Sequence, residues 1–463
     1  MPLFFLTMNM QSTIAAISTS YVESGIGIIR MSGPNALEIF SSIFVMPKNI
    51  EKPEPRHMYY GTVQKDGQVL DEALGVYFKG PNSYTGEDMV EIQCHGSLVA
   101  LKNILALCLE SGAEAAERGE FTKRAFLNGK LDLVQAEAVI DLIKAKTNRS
   151  FDVAVAQKEG RLSEKIRAVR TELIDLLVLL DVNLDYPDED IEEATYEKTI
   201  AALRSIGSKI EKLLSSSGEG KILRDGLAVT IAGRPNVGKS SLMNLLLSEN
   251  RSIVTDIAGT TRDTIEENCS INGIPVRLTD TAGIRKTDDL VEALGVERSK
   301  DAFNKADLIL LVLDSSQALT KEDEELLDMA SGRPCIVLLN KQDLAPVLQE
   351  SEIQKKLPSV KIIGSSFIRD DGIDEFKKAF SGLVELGSVR RGDALVSNER
   401  HIRLLKDAAS EIEEALSLCE TREAFDFIEV CCKESFDKLG EIIGETATDQ
   451  IINEIFSRFC LGK

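Results

Sequence analysis

The spacing of apolar and polar residues changes several times along this chain, and each change predicts a different kind of element. Three short apolar runs near the N-terminus end at glycine and are typical of β-strands, and the run after them has helical spacing. The strands are GIGIIRMSG (25–33), DEALGVYFKG (71–80) and DMVEIQCHG (88–96), and the helix is LVALKNILALCLESG (98–112). We therefore expect an α+β domain at this end of the chain.

Glycine nearly vanishes between about Lys130 and Leu214, where apolar residues recur at intervals of three and four. This spacing predicts a long helical region. We expect Pro187, within LDYPDEDIEE (184–193), to break it, because proline cannot continue a helix. The following stretch, SSSGEGK (215–221), has the composition of a flexible linker.

Strand and helix patterns alternate from Leu227 to about Leu383, and helical spacing returns from Asn398 to Phe459. The alternation is typical of a parallel sheet covered by helices. Two helical regions that flank such an insert can pack as one domain. The predicted segments are 1–128, an N-terminal α+β domain; 129–217, the first helical part; 218–384, the α/β domain; and 385–463, the second helical part.

Composition narrows the class of protein. A chain of 463 residues exceeds what one hydrophobic core supports, so several domains are expected, and a formal charge of −21 argues against non-specific binding of polyanions. The most apolar run, LIDLLVLLDVNL from Leu173, contains Asp175 and Asp181, which excludes a membrane span. The start, MPLFFLTMNM, has no basic residue and no cleavage pattern, so we predict a cytoplasmic protein whose true first residue is Met1, Met8 or Met10.

The eight cysteines include no C-x-x-C pair, and three histidines give no zinc-ligand spacing. Reduced thiols in the cytoplasm are therefore expected. The sequence finishes on FCLGK, and Cys460 has the outline of a prenylation site, although Gly462 and Lys463 do not fit that motif. A buried small hydrophobe and a chemically used thiol are the alternatives. Apolar residues four apart in DQIINEIFSRF, such as Ile455 and Phe459, predict a helix that carries Cys460 inward.

The most specific motif of the chain is a phosphate-binding loop. An apolar strand leads into Gly233-Arg-Pro-Asn-Val-Gly238-Lys239-Ser240, and an apolar helix follows. G-x-x-x-x-G-K-S in this context places backbone N–H groups and a helix N-terminus around phosphate. Lys239 is expected to reach the β- and γ-phosphates, and Ser240 is expected to bind Mg²⁺.

Two further motifs follow strands and indicate a GTPase. RLTDTAG places Asp280 at the end of a strand and Gly283 beside the γ-phosphate. IVLLNKQD ends a strand with Asn340 and brings Asp343, whose carboxylate can accept two hydrogen bonds from the N1–H and exocyclic amine of guanine. Adenine lacks that pair of donors, so the predicted base is guanine.

The position where Ras-type enzymes carry a water-positioning glutamine holds Ile284, which cannot form hydrogen bonds. Arg285 is either an internal arginine finger or a solvated side chain. In TDIAGTTRD (255–263), Thr261 is the expected magnesium-binding threonine. The predicted GTP-binding residues are Asn236, Val237, Gly238, Lys239, Ser240, Ser241, Thr255, Asp256, Ile257, Ala258, Gly259, Thr260, Thr261, Asp280, Thr281, Ala282, Gly283, Asn340, Lys341, Gln342, Asp343, Ser365, Ser366 and Phe367.

The sequence resembles the MnmE (TrmE) family of tRNA modification GTPases from about Thr13 to Lys463. The shared segments are GIGIIRMSG, GPNSYTGEDMVEIQCHG, RGEFTKRAFLNGKLDLVQAEAVIDLI, LDYPDED, GRPNVGKSSL, TDIAGTTRD, DTAGIR, NKQD and GEIIGETATDQIINEIFSRFCLGK. The resemblance implies an N-terminal α+β domain that forms a homodimer and binds tetrahydrofolate, an all-α helical domain, and an inserted Ras-like, doubly wound P-loop G domain.

The resemblance also implies an activity and partners. With the flavoprotein MnmG, in a heterotetramer, the family places a carboxymethylaminomethyl or related group on carbon 5 of the wobble uridine of certain tRNAs. The one-carbon donor is 5-formyl- or methylene-tetrahydrofolate, and G-domain pairing on GTP is helped by K⁺. No membrane partner is implied.

Site residues carry over from the family position by position. The implied ligands of K⁺ are Asn236, Thr255, Ile257 and Thr260, those of Mg²⁺ are Ser240 and Thr261, and the implied folate-binding residues are Arg30, Glu91, Lys130 and Lys463. Glu292 matches the glutamate that orients the attacking water, and Cys460 is a covalent participant or a positioning thiol. From the residues alone, Arg30 and Glu91 predict a structural ion pair between two strands.

Two segments depart from the family pattern. The family usually has T-P-P-G-R-G-G where this chain has STSYVESG (18–25), close to the expected folate site. Most GTPases have S-A-K or S-A-R after the last strand of the G domain, where this chain has GSSFIRDDGID (364–374). We expect Ser365 to Phe367 to contact guanine, with the register open by one residue.

Two other functions remain as alternatives. A non-catalytic GTP switch that recruits partners would use the G motifs but would not need Arg30, Glu91, Lys130 or the C-L-G-K end. Membrane recruitment through a prenylated Cys460 would add the mass of a lipid to the native protein. Assays of tRNA modification test the first alternative, and the mass of the native protein tests the second.

Overall fold

The computed structural model describes residues 12–46, 50, 52–185, 196–250, 266–280, 303–384 and 394–463. The chain divides into two compact units, which we call the first and the second unit. The first unit consists of Met1–Ile140, Ser163–Ala194 and Glu423–Lys463, and the second of Asp141–Leu162 and Thr195–Arg422. Each unit is described separately below.

The first unit contains a mostly antiparallel sheet. Its strands are β1 (Ile14–Ile17), β2 (Ser24–Ser32), β3 (Phe44–Val45), β4 (Met58–Lys65), β5 (Gln68–Phe78), β6 (Met89–Gly96) and β7 (Glu114–Ala115). They lie in the order β3-β4-β5-β6-β2-β1-β7, in which β1 and β7 are parallel. Strands β2 and β6 pair in a register that sets Arg30 opposite Glu91, so two charged residues of apolar strands become cross-strand neighbours.

Helices cover this sheet and extend the first unit. They are α1 (Ala36–Ile43), α2 (Leu98–Glu110), α3 (Glu120–Leu127), α4 (Leu133–Lys144), α6 (Arg161–Asp185), α14 (Phe425–Ile443) and α15 (Asp449–Ser457), of which α4 and α6 run across the boundary of the unit. The last helix buries Ile452 and Phe456, which form one apolar cluster with Leu133 and Ala136 of α4. The amphipathic face that the sequence predicts for the end of the chain is therefore used inside this unit.

The second unit is built on a parallel sheet. Its strands are β8 (Leu227–Ala232), β9 (Glu266–Ile271), β10 (Ile274–Asp280), β11 (Leu308–Asp314), β12 (Cys335–Asn340) and β13 (Lys361–Gly364), in the order β13-β12-β11-β8-β10-β9. Only β9 pairs antiparallel among these described strands. Every residue of β11 and β12 is buried, as expected for strands that are covered on both faces.

The helices of the second unit come from the inserted domain and from both flanking regions. They are α5 (Asn148–Lys158), α7 (Tyr196–Leu214), α8 (Ser217–Asp225), α9 (Lys239–Asn250), α10 (Lys321–Ala330), α11 (Glu350–Lys356), α12 (Ile373–Leu383) and α13 (Glu399–Glu420). The strands and helices predicted between Leu227 and Leu383 are present in the described part of that range. Among the helices that the structure describes, none has the length and apolar character to cross a bilayer.

The predicted linker at 215–221 is wrong, because helix α8 begins at Ser217. Gly220 in this helix packs closely against the backbone at Val396. A Cβ added at Gly220 would lie 2.3 Å from the carbonyl oxygen of Val396. The glycine therefore permits close packing of a helix rather than flexibility. The predicted break at Pro187 lies outside the described residues.

Candidate functional site: a phosphate-binding loop with a guanine motif

The phosphate-binding loop connects β8 to α9 and is packed tightly against its surroundings. Gly233 and Gly238 have φ values of +153° and +110°, which side-chain-bearing residues rarely adopt. A Cβ added at Gly238 would lie 2.2 Å from Nδ2 of Asn340. The two glycines are therefore required by backbone conformation and by space.

Lys239 begins helix α9 and its side chain turns back over the loop. The Nζ atom donates to the carbonyl oxygens of Gly233 at 2.7 Å and Arg234 at 2.6 Å. Ser240 and Ser241 follow in the first helical turn and are exposed, and Asn236 is exposed with a φ of +65°. The ammonium group of Lys239, the N–H groups at the start of α9 and the hydroxyls of Ser240 and Ser241 thus lie at the same loop. Groups of these kinds bind phosphate.

The guanine motif is joined to the phosphate-binding loop by hydrogen bonds. Asn340 ends β12, donates from Nδ2 to the carbonyl oxygen of Val237 at 2.7 Å, and accepts the N–H of Phe367 at 3.1 Å. The hydroxyl of Ser366 donates to Oδ1 of Asp343 at 2.7 Å. The base motif and the phosphate motif therefore form one connected site.

Asp343 is held in its ionised form. The hydrogen bond from Ser366 lowers its pKa most, the backbone hydrogen bond at Asp343 adds to this effect, and the positive charges of Arg369 and Lys341 lower it further. A carboxylate in this form is acceptor-only, as recognition of two guanine donors requires.

The two serines of the segment after β13 have different contacts. Ser366 supplies the hydroxyl that contacts Asp343, whereas Ser365 is buried and uses its carbonyl oxygen to accept the N–H of Gln342 at 3.1 Å. Phe367 contributes its backbone N–H, while its ring belongs to the apolar core of the second unit. The side-chain contact to the base motif is thus made by the second serine of GSSF.

Several predicted residues lie outside the described part of the chain. They are Thr255, Asp256, Ile257, Ala258, Gly259, Thr260, Thr261, Thr281, Ala282, Gly283, Ile284, Arg285 and Glu292. Asp280 is described as the last residue of β10, where its backbone pairs with Ile231 of β8. Its predicted position at the end of a strand is therefore present, next to the strand that leads into the phosphate-binding loop.

A second cluster of predicted site residues lies in the first unit. The guanidinium of Arg30 donates to Oε1 of Glu91 from Nη2 at 2.7 Å and from Nε at 2.9 Å. It also lies 5.7 Å from the ring centres of both Tyr84 and Phe121. The ion pair expected from the strands alone is present, and two aromatic rings fix its position.

Lys463 joins this cluster although it lies at the other end of the sequence. Burial lowers the pKa of its ammonium group, the charge of Arg30 lowers it further, and Glu91 acts in the opposite direction. The tail is held by an antiparallel bridge between Leu461 and Arg118 and by the hydroxyl of Ser18, which donates to the carbonyl oxygen of Gly462 at 3.0 Å. The charges of Arg30, Glu91 and the Lys463 ammonium group are thus close enough to influence one another.

Lys130 lies at one edge of the loop that carries Tyr84. Its Nζ donates to the carbonyl oxygen of Pro81 at 3.0 Å. Of the four predicted folate residues, Arg30 and Glu91 therefore form an ion pair, Lys463 is influenced by the charges of both, and Lys130 contacts the same loop as the ring that faces Arg30.

Two family models match the chain on either side of residue 131. Residues 13–130 match a family described as GTP-binding protein TrmE N-terminus, and residues 133–460 match one described as MnmE helical domain. The chain belongs to the MnmE family. The predicted organisation into an N-terminal domain, a helical domain and an inserted P-loop domain is thereby confirmed as a fold, whereas the exact boundaries stay predictions.

MnmE relatives match along nearly the full chain. The tRNA modification GTPase MnmE of Clostridioides difficile is 48% identical over 459 residues, which cover 98% of this chain and 100% of the relative. That of Geobacillus kaustophilus is 47% identical over 457 residues, which cover 97% and 99%. The solved structure of Era from Aquifex aeolicus bound to GDP and AlF4⁻ covers 40% of this chain and 66% of its own, with 28% identity and a TM-score of 0.29.

The predicted inward orientation of Cys460 is wrong. Helix α15 ends at Ser457, so the helical spacing that buries Phe456 does not extend to the cysteine. Cys460 follows the helix as an exposed residue, and its carbonyl oxygen accepts the N–H of Gly119 at 3.4 Å. The tail then turns at Gly462, whose φ is +84°. The exposed thiol lies in the tail that this MnmE member brings to Arg30.

We expect iodoacetamide to label Cys460 alone in the native protein. The other seven cysteines are buried, and burial raises the pKa of Cys108, Cys269 and Cys335 to about 12. The reactive thiolate is therefore inaccessible at those sites. Intact-mass spectrometry should show one adduct on the native wild-type protein and none on Cys460→Ser. Denaturation of the wild-type protein should increase the number of adducts to eight. An adduct that persists in Cys460→Ser would contradict the described exposure.

Arg234, Asp314 and Asp323 lie at the nucleotide site but were not identified there from the sequence. Arg234 of the phosphate-binding loop pairs with Asp323 of α10 at 2.8 Å, and Lys341 of the base motif pairs with Asp314 at the end of β11 at 2.7 Å. Both acids are almost fully buried, with side chains 3% exposed. The available signal is weak: Asp314 ends the apolar run LILLVLD, where an unpaired acid would be costly.

Proposed function

We propose that this chain is a K⁺-stimulated GTPase that acts with MnmG as a tRNA modification enzyme. In this proposal the two proteins place a carboxymethylaminomethyl or related group on carbon 5 of the wobble uridine of certain tRNAs, with a tetrahydrofolate derivative as the one-carbon donor. The chain works as a homodimer, and GTP drives its G domains to pair. Hydrolysis then releases the pair and resets the conformation.

The observation that carries the proposal is the cluster of Arg30, Glu91 and Lys463 in the first unit. These charged residues belong to a site that is separate in sequence from every nucleotide motif. The anionic glutamate tail of a folate can pair with a cation such as Arg30 or Lys463, and a carboxylate such as Glu91 accepts hydrogen bonds from the N–H groups of a pterin ring. A protein that acted only as a GTP switch would have no use for such a site.

The nucleotide chemistry follows from the second unit. Backbone N–H groups and Lys239 bind the phosphates, and Asp343, which accepts the hydroxyl of Ser366, selects guanine. Binding energy from both ends of GTP holds the γ-phosphate in a fixed place for attack by water, which Glu292 orients in the family. The free energy that GTP supplies to the paired state must reach a few kcal/mol for that state to dominate.

The donor types present fit two cations. The exposed hydroxyl of Ser240, with Thr261, would hold Mg²⁺, and the exposed amide of Asn236, with Thr255, Ile257 and Thr260, would hold K⁺. Oxygen donors are the ligands that both ions prefer. When bound, these ions supply positive charge that stabilises the charge developing on the phosphates in the transition state.

The decisive experiment is mass spectrometry of tRNA nucleosides from cells depleted of this protein. We expect the 5-aminomethyl-type uridine derivatives to disappear and to return with the wild-type chain but not with Arg30→Glu. Lys52→Glu, an exposed charge reversal in the same unit, is the matched control and should restore them. Normal modification in depleted cells would leave a GTPase without this function, as the switch alternative requires.

A charge swap separates ligand binding from a purely structural ion pair. The double variant Arg30→Glu with Glu91→Arg keeps one cation facing one carboxylate across β2 and β6. If the pair serves only stability, the swap should recover both the melting temperature and tRNA modification. We expect the melting temperature to recover, without tRNA modification and without binding of 5-formyltetrahydrofolate in calorimetry. GTP hydrolysis should stay at the wild-type rate.

The mass of the native protein tests the membrane alternative. An unmodified mass would exclude prenylation of Cys460.

A further inference from the structure

The connection between β5 and β6 begins with a tight turn that runs from Lys79 to Asn82. The N–H of Asn82 donates to the carbonyl oxygen of Lys79 at 3.1 Å, and this hydrogen bond closes the turn. The first and last residues of such a turn lie within about 7 Å of each other. The carbonyl oxygens of Pro81 and Asn82 accept hydrogen bonds from side chains of two other segments of the first unit.

The side chains that bind these carbonyl groups are both cations. Nζ of Lys130 donates to Pro81 at 3.0 Å, and Nη2 of Arg56 donates to Asn82 at 2.9 Å. Because the two acceptors belong to consecutive residues, the two charges lie within roughly 10 Å of each other. Lys79 adds a third positive charge at the start of the turn. All three cationic residues are exposed, and we call Arg56, Lys79 and Lys130 the turn cluster.

The charges of the turn cluster are available to a ligand. Within the part of the chain that the structure describes, no carboxylate forms an ion pair with any of its three members. The acids of the same connection have other partners, because Asp88 accepts the N–H of Gly80 at 2.9 Å and Glu87 pairs with Arg124 at 3.2 Å. A guanidinium has five N–H donors and an ammonium group three, so the hydrogen bonds to the turn fix these groups and leave further donors for an anion.

The turn cluster adjoins the folate site proposed above. Tyr84, whose ring centre lies 5.7 Å from the guanidinium of Arg30, follows Asn82 by only two residues, which span at most about 7 Å. Lys130 is itself one of the four predicted folate residues. The other two cations of the cluster have no part in the chemistry described so far.

We propose that the turn cluster binds the γ-linked glutamates of a polyglutamylated tetrahydrofolate. Each glutamate that is added to a folate brings one further carboxylate, so the tail is a row of negative charges that continues from the folate itself. Arg56 and Lys79 each pair with a carboxylate beyond the first glutamate, and a guanidinium can hold a carboxylate through two parallel hydrogen bonds. The inference rests on the proposed folate site and names the form of folate that the site prefers.

The size and charge of the surroundings favour a short anion over RNA. A protein surface that binds nucleic acid commonly makes roughly six to ten phosphate contacts. This chain has 75 acidic residues against 54 lysines and arginines, and the turn cluster has three cations around four residues. Three cations match a few carboxylates. Contact of the same residues with RNA is a separate outcome of the test below.

The test compares 5-formyltetrahydrofolate that carries one glutamate with the same compound that carries three, by calorimetry on the full-length chain. We expect the wild type to bind the triglutamate roughly 3- to 20-fold more tightly, because each exposed ion pair contributes a factor of up to about five. This advantage should shrink at high ionic strength, since exposed charges are screened by salt.

Substitutions in the turn cluster should remove this preference without changing the folate site. The double variant Arg56→Gln with Lys79→Gln should bind the monoglutamate as the wild type does, and its two Kd values should agree within about 2-fold. Lys79→Arg keeps the charge and should keep the preference. Lys165→Gln is the matched control, because it removes an exposed cation from α6 in the same unit, and it should also keep the preference.

The possible results separate this inference from the proposed function. Equal affinity of the wild type for the two compounds would overturn the inference and leave the folate site in place. A preference that survives in the double variant would also refute it, and a simultaneous loss of tRNA affinity would assign the cations to an RNA surface. If the wild type bound neither compound, the folate site itself would be refuted, and the inference with it.

A single variant covers the case in which the double variant does not fold. In the described part of the chain, the Lys79 side chain has no hydrogen bond or ion pair, so Lys79→Gln removes no contact that holds the turn. We expect Lys79→Gln to melt at the wild-type temperature and to reduce the preference for the triglutamate roughly 2- to 5-fold. An undiminished preference in this variant would exclude Lys79 from the proposed site.

Discussion

Asp343→Asn is expected to change the preferred nucleotide of this enzyme from GTP to xanthosine triphosphate. The carboxylate accepts from the N1–H and the exocyclic amine of guanine, and two hydrogen bonds to a charged group together correspond to at least about a 100-fold loss of affinity. Xanthine carries an oxygen in place of the amine, which an amide can donate to. The Ser366 hydroxyl donates to Oδ1 of residue 343 and would fix the amide with its NH₂ toward the base. Competition binding with GTP and xanthosine triphosphate measures the exchange.

The control for this variant is another acid, in the turn after β13 that contains Ser366. Asp370 is exposed four residues beyond Ser366, so Asp370→Asn should leave both affinities at their wild-type values. Asp343→Asn could lose affinity for GTP without gaining affinity for xanthosine triphosphate. In that case either the amide NH₂ points toward Ser366 instead of the base, or the nucleotide site is no longer folded. A melting curve distinguishes these two outcomes. Retention of GTP affinity would remove Asp343 from the base-recognition site altogether.

Gly238→Ala is expected to abolish GTP binding and hydrolysis, with losses of at least about 100-fold, because it affects both ends of the site at once. The new methyl group would lie 2.2 Å from Nδ2 of Asn340, the donor that ties the base motif to the phosphate-binding loop. The φ of +110° adds backbone strain for any residue with a Cβ. The free energy of unfolding of the second unit should fall by about 1–3 kcal/mol.

Gly382 offers a matched control for this substitution. It lies in helix α12 of the same unit, and an added Cβ would meet nothing within 4 Å. Gly382→Ala should therefore bind GTP normally and melt at the same or a slightly higher temperature, since alanine favours helix by up to about 1 kcal/mol. Nucleotide binding by calorimetry, combined with thermal melting, distinguishes the two glycines. Wild-type affinity in Gly238→Ala would show that the loop can move away from Asn340.

The strand, loop and helix of the phosphate-binding motif were predicted correctly because they depend on local sequence. A phosphate-binding loop needs a strand, two glycines and a helix in succession, so Gly233 to Lys239 could be recognised without coordinates. The pair formed by Asp314 and Lys341 could not, because its partners are separated by 27 residues and meet only when β11 and β12 align. Long-range contacts of this kind depend on strand register, which local patterns do not define.

The two wrong predictions have related physical causes. SSSGEGK resembles a linker because glycine and serine are common in flexible segments, yet Gly220 is needed where a helix approaches Val396. The inward orientation of Cys460 assumed that a helical period continues to the end of the chain. The last helix instead ends at Ser457, so its spacing does not determine the orientation of Cys460.

The hydrogen bond between Ser18 and Gly462 joins residues 444 positions apart, and this separation has a consequence for synthesis. At ribosomal rates of 5–20 residues per second, Ser18 is made roughly 20 to 90 s before its partner. The ends of β1 and α3 must therefore wait, with their tail contacts unmade, while nearly the whole protein is translated. A polypeptide that is cut short by premature termination lacks the contacts that the tail makes with Ser18 and Arg118. The first unit therefore acquires its final set of contacts only when nearly the whole sequence has been translated.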